Sequence, residues 1–167
     1  MTKLVIYIFY LIHCIYDMKI HNSLDLLAKR LYSLWVRNEF KYIGDKCLFS
    51  KFSLLKGGEY IEIGDHSTFG KSVVLTAWSS YNYKDIKSGE FLLQEFCPSI
   101  KIGNHCIIGD NAHITAVNRI IIEDGVLTGR WVTISDNSHG KFDEAETQIP
   151  PANRQIISKG GVHICKN

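Results

Sequence analysis

No Cys-x-x-Cys pair occurs in the chain: the five cysteines, Cys14, Cys47, Cys97, Cys106 and Cys165, are odd in number and scattered. That excludes a zinc or dithiol motif of this type and fits a reduced, cytoplasmic compartment. A dominant charge is also missing. Lys+Arg 19 against Asp+Glu 17 leave a formal net charge of +2, too balanced for the basic field that phosphate backbones require, so nucleic acid is not an expected partner. Nor is there an apolar run that would cross a bilayer, because Leu4 to Tyr16 contains His13 and stops at Asp17, short of the roughly 20 residues a span needs. No small-residue cleavage site follows it and only Lys3 precedes it, which argues against a secretory signal. What the chain does have is 167 residues, 46% of them hydrophobic, enough to build one domain with a core and to exclude disorder as its main state.

Residues 1–40 read as a helical segment. Leu24, Leu27, Leu31 and Leu34 recur at three- and four-residue intervals with Lys29, Arg30 and Arg37 between them, the pattern of an amphipathic helix. The expectation is a helix packed on the body of the protein, with peripheral membrane contact as the alternative.

From residue 41 a different period takes over. Ile43-Gly44-Asp45, Ile63-Gly64-Asp65, Ile102-Gly103-Asn104 and Ile108-Gly109-Asp110 repeat one motif, and Ile102, Ile108 and Ile114 fall six apart with Ile100, Cys106 and Ala112 two residues before each. Ile63, Phe69 and Leu75 keep the same frame, as do Ile122, Thr128 and Ile134. An even period holds every anchor on one side of an extended chain, and the Gly with its Asp or Asn is expected to turn the corner through positive φ. The longer step from Ile114 to Ile122 reads as a two-residue bulge within 116–119. Three such sides predict a triangular turn of about 18 residues, with Ile102 beneath Ile120.

These repeats resemble the hexapeptide-repeat acyltransferases, in particular the sugar and polysaccharide O-acetyltransferases such as the maltose and galactoside enzymes. The resemblance implies a mainly β fold, a left-handed parallel β-helix over 41–167 behind the helical segment, assembled as a homotrimer. The handedness comes from the resemblance alone. Two stretches leave the frame, 77–98 with Trp78, Tyr81, Tyr83 and Phe91, and 141–161 with Pro150 and Pro151. The first reads as a wall of an acceptor site or as an aromatic patch at a subunit contact. The frame resumes at Val162 and Ile164 and then stops in mid-repeat, whereas the family continues through further coils that hold much of the coenzyme A groove. The chain therefore reads as truncated at its C-terminus, with weak coenzyme A binding expected.

Among seven histidines, His66 and His105 fall at expected corners and His163 points outward by alternation. His139 ends the run Ile134-Ser135-Asp136-Asn137-Ser138-His139-Gly140, where the repeats give way to the second excursion. This run resembles the family's active-site segment, which implies that His139 is the catalytic base. An imidazole, with an ordinary pKa of about 6.5, can take a hydroxyl proton as the oxygen attacks an acetyl thioester. Asp136 is a candidate for orienting it, or for bonding its own turn. By the same resemblance Asn111 matches an acceptor-binding position, with His113 and Asn118 as further candidates for a sugar site. The segment 151–160 resembles the family's Ser-Lys-Gly-ending element, placing Ser158, Lys159 and Gly160 as candidates for coenzyme A contact.

The implied activity is transfer of an acetyl group from acetyl-CoA to a sugar hydroxyl of a surface polysaccharide or its precursor, in the cytoplasm or at the inner face of the membrane, without a metal. The alternative is a solenoid that assembles or binds glycan without catalysis. A zinc enzyme of the carbonic anhydrase type needs three imidazoles at an interface, and His105, His113 and His139 do not follow its spacing.

Overall fold

A computed structural model of the chain describes residues 2–140 and 148–165. Two helices come first, α1 (Lys3–Ile15) and α2 (Met18–Val36), separated by a bend of 52° at which the Asp17 side chain caps α2 by accepting from the Ile20 amide at 2.9 Å. The strands that follow are short. They are β1 (Tyr42–Ile43), β2 (Leu48–Phe49), β3 (Leu54–Lys56), β4 (Ile61–Ile63), β5 (Thr68–Phe69) and β6 (Val74–Ala77). Next come β7 (Ser80–Lys84), β8 (Phe91–Glu95), β9 (Ser99–Ile102), β10 (Ile107–Ile108) and β11 (His113–Ala116). The last are β12 (Arg119–Ile122), β13 (Thr133–Ser135), β14 (Asn137–His139), β15 (Ile156–Ser158) and β16 (Gly161–Ile164).

Three small sheets pair in parallel, in the orders β1-β4-β9-β12-β16, β10-β5-β2 and β13-β11-β6-β3, while β7-β8 and β14-β15 are antiparallel pairs. The expectation of a left-handed parallel β-helix is corrected here: none is evident among the described residues, which form several small, mostly parallel sheets and two helices. The physical reason lies at the corners. Lys46, His66, Ser72, His105, Asn111 and Trp131 all adopt positive φ, and each such residue interrupts the ladder after two to four residues, so hydrogen bonding is divided among separate sheets. The expected length of one turn is also corrected. Partners across adjacent parallel strands stand 20 residues apart, 39 where the first excursion intervenes and 42 where the second does, so Ile120 pairs with Ile100 and Ile122 with Ile102. The long step is not a single bulge, for Leu55 to Ile63 takes the same stride as Ile114 to Ile122.

Most positions of the six-residue frame face inward: Ile61, Ile63, Val73, Leu75, Ile100, Cys106, Ile114 and Ile120 have no exposed surface. The glycines of the repeats serve close approach rather than positive φ. A Cβ on Gly64 would stand 2.8 Å from the Asn104 amide nitrogen, and the left-handed residue is His66, two places later. Acidic or amide residues at this corner bond along the stack. Asp65 Oδ1 accepts from the Asp45 amide at 2.8 Å, Asn104 Oδ1 from Asp65 at 2.8 Å, and Asp124 Oδ1 from Asn104 at 2.7 Å. Inside the same corner, Cys47 and Cys106 each donate their thiol to a carbonyl of the next strand, Gly64 at 3.0 Å and Glu123 at 3.1 Å, as Ser67 does with its hydroxyl. Burial pushes the Cys47 thiol up from its ordinary range, which keeps it protonated and unreactive.

Helix α2 covers the start of this stack with its more polar side. Ser33 Oγ accepts from the Phe49 amide at 2.8 Å, Tyr32 Oη from the Phe52 amide at 3.2 Å, and the Arg37 guanidinium just beyond donates to the Ile43 carbonyl at 2.6 Å. These bonds satisfy edge groups that would otherwise lack partners. Val36 and Phe40 then pack with Phe49 and Phe52 in the core. The expected helix on the body is present, but Leu24, Leu27, Leu31 and Leu34 remain exposed on it.

Candidate functional site

The outer face of the third sheet floors a cleft of about 390 Å³. Its register aligns Leu54, Val74 and His113 in one row and Thr76 with Thr115 in the next. Thr76 donates to Thr115 Oγ1 at 2.9 Å and accepts from Trp78 Nε1 at 3.2 Å, which fixes the indole as a side wall. The Lys56 ammonium lies over that ring, 3.6 Å from its centroid. Tyr81, on β7, continues the wall, edge-on to Trp78 and to His139 with ring centroids 5.5 Å apart in the latter pair. Its hydroxyl donates to the Ala152 carbonyl, and burial raises the phenol above its usual pKa, so it stays a proton donor at neutral pH.

His139 and Asn137 reach the cleft from β14, which pairs with β15 so that Asn137 opposes Ser158 and His139 opposes Ile156. Gln94 of β8 locks this ribbon in place, its amide donating to the Ile156 carbonyl at 2.9 Å and accepting from the Ile156 amide at 3.0 Å. The first excursion is thus a hairpin, β7 with β8, that ties the wall to the strand behind the histidine. Among the described residues the His139 ring is exposed and makes no hydrogen bond, its contact being the Tyr81 edge.

Asp136 is fully buried and turned away from the imidazole. It accepts from the Val117 amide at 2.9 Å, the Asn118 amide at 2.8 Å and Asn137 Nδ2 at 3.1 Å, and its own carbonyl takes the Lys159 amide at 2.7 Å. This clamp joins the corner after β11 to the ribbon that carries His139. It positions backbone; it does not orient the ring. His113 lines the cleft beside His139, whereas Asn111 is a left-handed corner residue and Asn118 an exposed one, and neither lines it. Ser158 at the end of the ribbon and Lys159 and Gly160 just past it are exposed and do not line the cleft either. Part of the second excursion, 141–147, lies outside the described residues.

Thr76, Thr115, Asn137 and Ile156 are cleft residues that spacing alone does not single out. The two threonines carry a signal, being polar at positions that alternate with the inward Leu75 and Ile114. Among the described residues, only Glu123, His163 and Cys165 bring donor atoms together closely enough for a metal, within 4.8 Å of one another. His163 Nε2 stands 2.8 Å from Glu123 Oε1, so an ordinary imidazole–carboxylate contact accounts for that convergence. Compared with known proteins, the chain matches no family model, no curated protein and no solved structure.

Proposed function

We propose that this protein transfers an acetyl group from acetyl-CoA to a sugar hydroxyl, with His139 as general base. The observation that supports this reading is one cleft in which an exposed imidazole faces an aromatic wall, with His113, Thr115 and Asn137 as hydrogen-bonding groups beside it. A sugar presents an apolar ring face and a rim of hydroxyls, and Trp78 with Tyr81 suits the first as the polar groups suit the second. His139 takes the proton of the acceptor hydroxyl as its oxygen attacks the thioester carbonyl carbon. The C–S bond then breaks, and the imidazolium returns its proton to the departing thiolate. Surface polysaccharide or its precursor as acceptor, and assembly as a trimer, belong to the same proposal. Ile107 and Leu127, bridged side by side and exposed on the second sheet, offer an apolar patch for such assembly.

Release of free thiol from acetyl-CoA in the presence of sugar acceptors tests the reading. His139→Ala is expected to lower the rate by about 10² to 10⁴. Robust turnover that this substitution leaves unchanged would remove the histidine from the chemistry. A second reading, glycan binding without catalysis, is favoured by the engagement of Asp136 with backbone amides, which among the described residues leaves no carboxylate paired with the base. Saturable sugar binding with no thiol release under any acceptor would select it.

A further inference from the structure

We propose that the N-terminal helices seat this protein on a lipid bilayer, α1 lying within one leaflet and the leucine stripe of α2 facing the same acyl chains. No residue of α1 is buried, and Ile6, Phe9, Leu11 and Ile12 expose apolar surface on every side of the helix. A protein groove or a second copy covers one face of a helix. Hydrocarbon covers all of them.

Helix α2 supplies the independent observation. Its polar side, with Tyr32 and Ser33, is spent on the strand edges, so the outward stripe of Leu24, Leu27, Leu31 and Leu34 with Trp35 is what remains to be covered. Trp35 is 71% exposed at the end of that stripe, the amphipathic ring suited to a headgroup boundary. Lys19 and Arg30 are exposed on the same helix, where long basic chains reach phosphate while their stems lie on hydrocarbon.

Length decides how α1 lies. Among the described residues no single helix is long and apolar enough to cross a membrane; α1 and α2 reach that length and composition only together, and the pair is bent by 52°. At 13 residues α1 measures about 20 Å against a hydrocarbon core of about 30 Å, and it carries Lys3 at one end and Asp17 just past the other. Charges at both ends of so short a segment stay at one surface, so α1 rests in the leaflet that α2 faces.

The test is flotation of the full chain through a density gradient with vesicles of phosphatidylcholine containing a minor share of phosphatidylglycerol. The wild type is expected to float with the vesicles and to remain with them in concentrated salt, since insertion rather than charge holds it. Ile8→Asp with Ile12→Asp, at positions that touch no core, is expected to cut the floated fraction at least tenfold while far-UV circular dichroism and the unfolding midpoint stay unchanged. Leu31→Glu with Trp35→Glu is expected to cut it less. Wild type that stays at the bottom of the gradient overturns the proposal. So does wild type that floats no better than the aspartate variant, or that forms a defined oligomer in vesicle-free buffer which the aspartates disperse to monomer.

Discussion

Isoleucine and leucine are put to opposite uses in the two halves of the molecule. In the sheets Ile120 is 0% exposed, walled in by its strand partners Ile100 and Val162; on α2, Leu31 is 59% exposed although its helix lies against the same body. The difference shows that apolar spacing identifies which residues need covering and leaves open by what. In the sheets the cover is the next strand, whereas on α2 the leucine stripe stays uncovered among the described residues, because strand edges claim the polar side of that helix.

The sharpest way to break this comparison is to remove the same amount of hydrocarbon from each half. Ile120→Ala is expected to cost about 4 kcal/mol of unfolding free energy in urea, the lost transfer plus an unfilled cavity. Leu31→Ala is expected to stay within about 0.5 kcal/mol in vesicle-free buffer. A loss at Leu31 approaching that at Ile120 would mean the stripe packs on the body in solution after all.

Asp136 and His139, three positions apart, divide structure from chemistry. Asp136→Ala strands the amides of Val117 and Asn118, and the expected loss is about 3 kcal/mol, because both amides lose their acceptor together. His139→Ala is expected to leave the unfolding midpoint unchanged while thiol release falls. Equal destabilisation by both would make His139 a structural residue. Below these in size stands Gly64→Ala, at about 2 kcal/mol, since the added Cβ meets Asn104 backbone that cannot give way. Gly89→Ala provides the contrast: nothing lies within 4 Å of its Cβ, and only its φ of +72° resists, at about 1 kcal/mol.

How far these features can be read from the chain follows from their range. The inward frame of Ile100, Ile102, Cys106 and Ile108 is legible because alternation and a fixed stride are local properties. So is the rim position of His139, at the end of the last regular repeat. The true length of a turn is not, since each long corner resembles an isolated insertion until strands are paired. The role of Gly64 is hidden for the same reason: the Asn104 backbone that excludes its side chain belongs to the next turn of the stack. Asp136 resembles an orienting carboxylate in sequence because its amide partners belong to the previous turn. The leucines of α2 read as inward because periodicity states that a face exists and nothing in it states which face the body requires.

The smallest effect concerns the outer surface of the first sheet, where Glu62 lies between Lys41, at 2.7 Å, and Lys101, at 3.5 Å. The bond from Lys41 holds its carboxyl below the usual carboxylate range, with Lys101 adding to it against a small desolvation cost. A carboxyl whose folded pKa is depressed contributes stability that is full above its unfolded value, near 4.5, and is lost as the pH falls through the folded value. Both lysines are solvent-exposed, so the contribution stays under about 1 kcal/mol and shrinks in salt. Urea midpoints from pH 7 down to pH 3 are expected to fall slightly more steeply for wild type than for Glu62→Gln, with the gap closing in concentrated salt. Identical acid slopes would mean that the pair does not form in solution and that the outward face of these sheets adds nothing, leaving the inward positions to hold the stack alone.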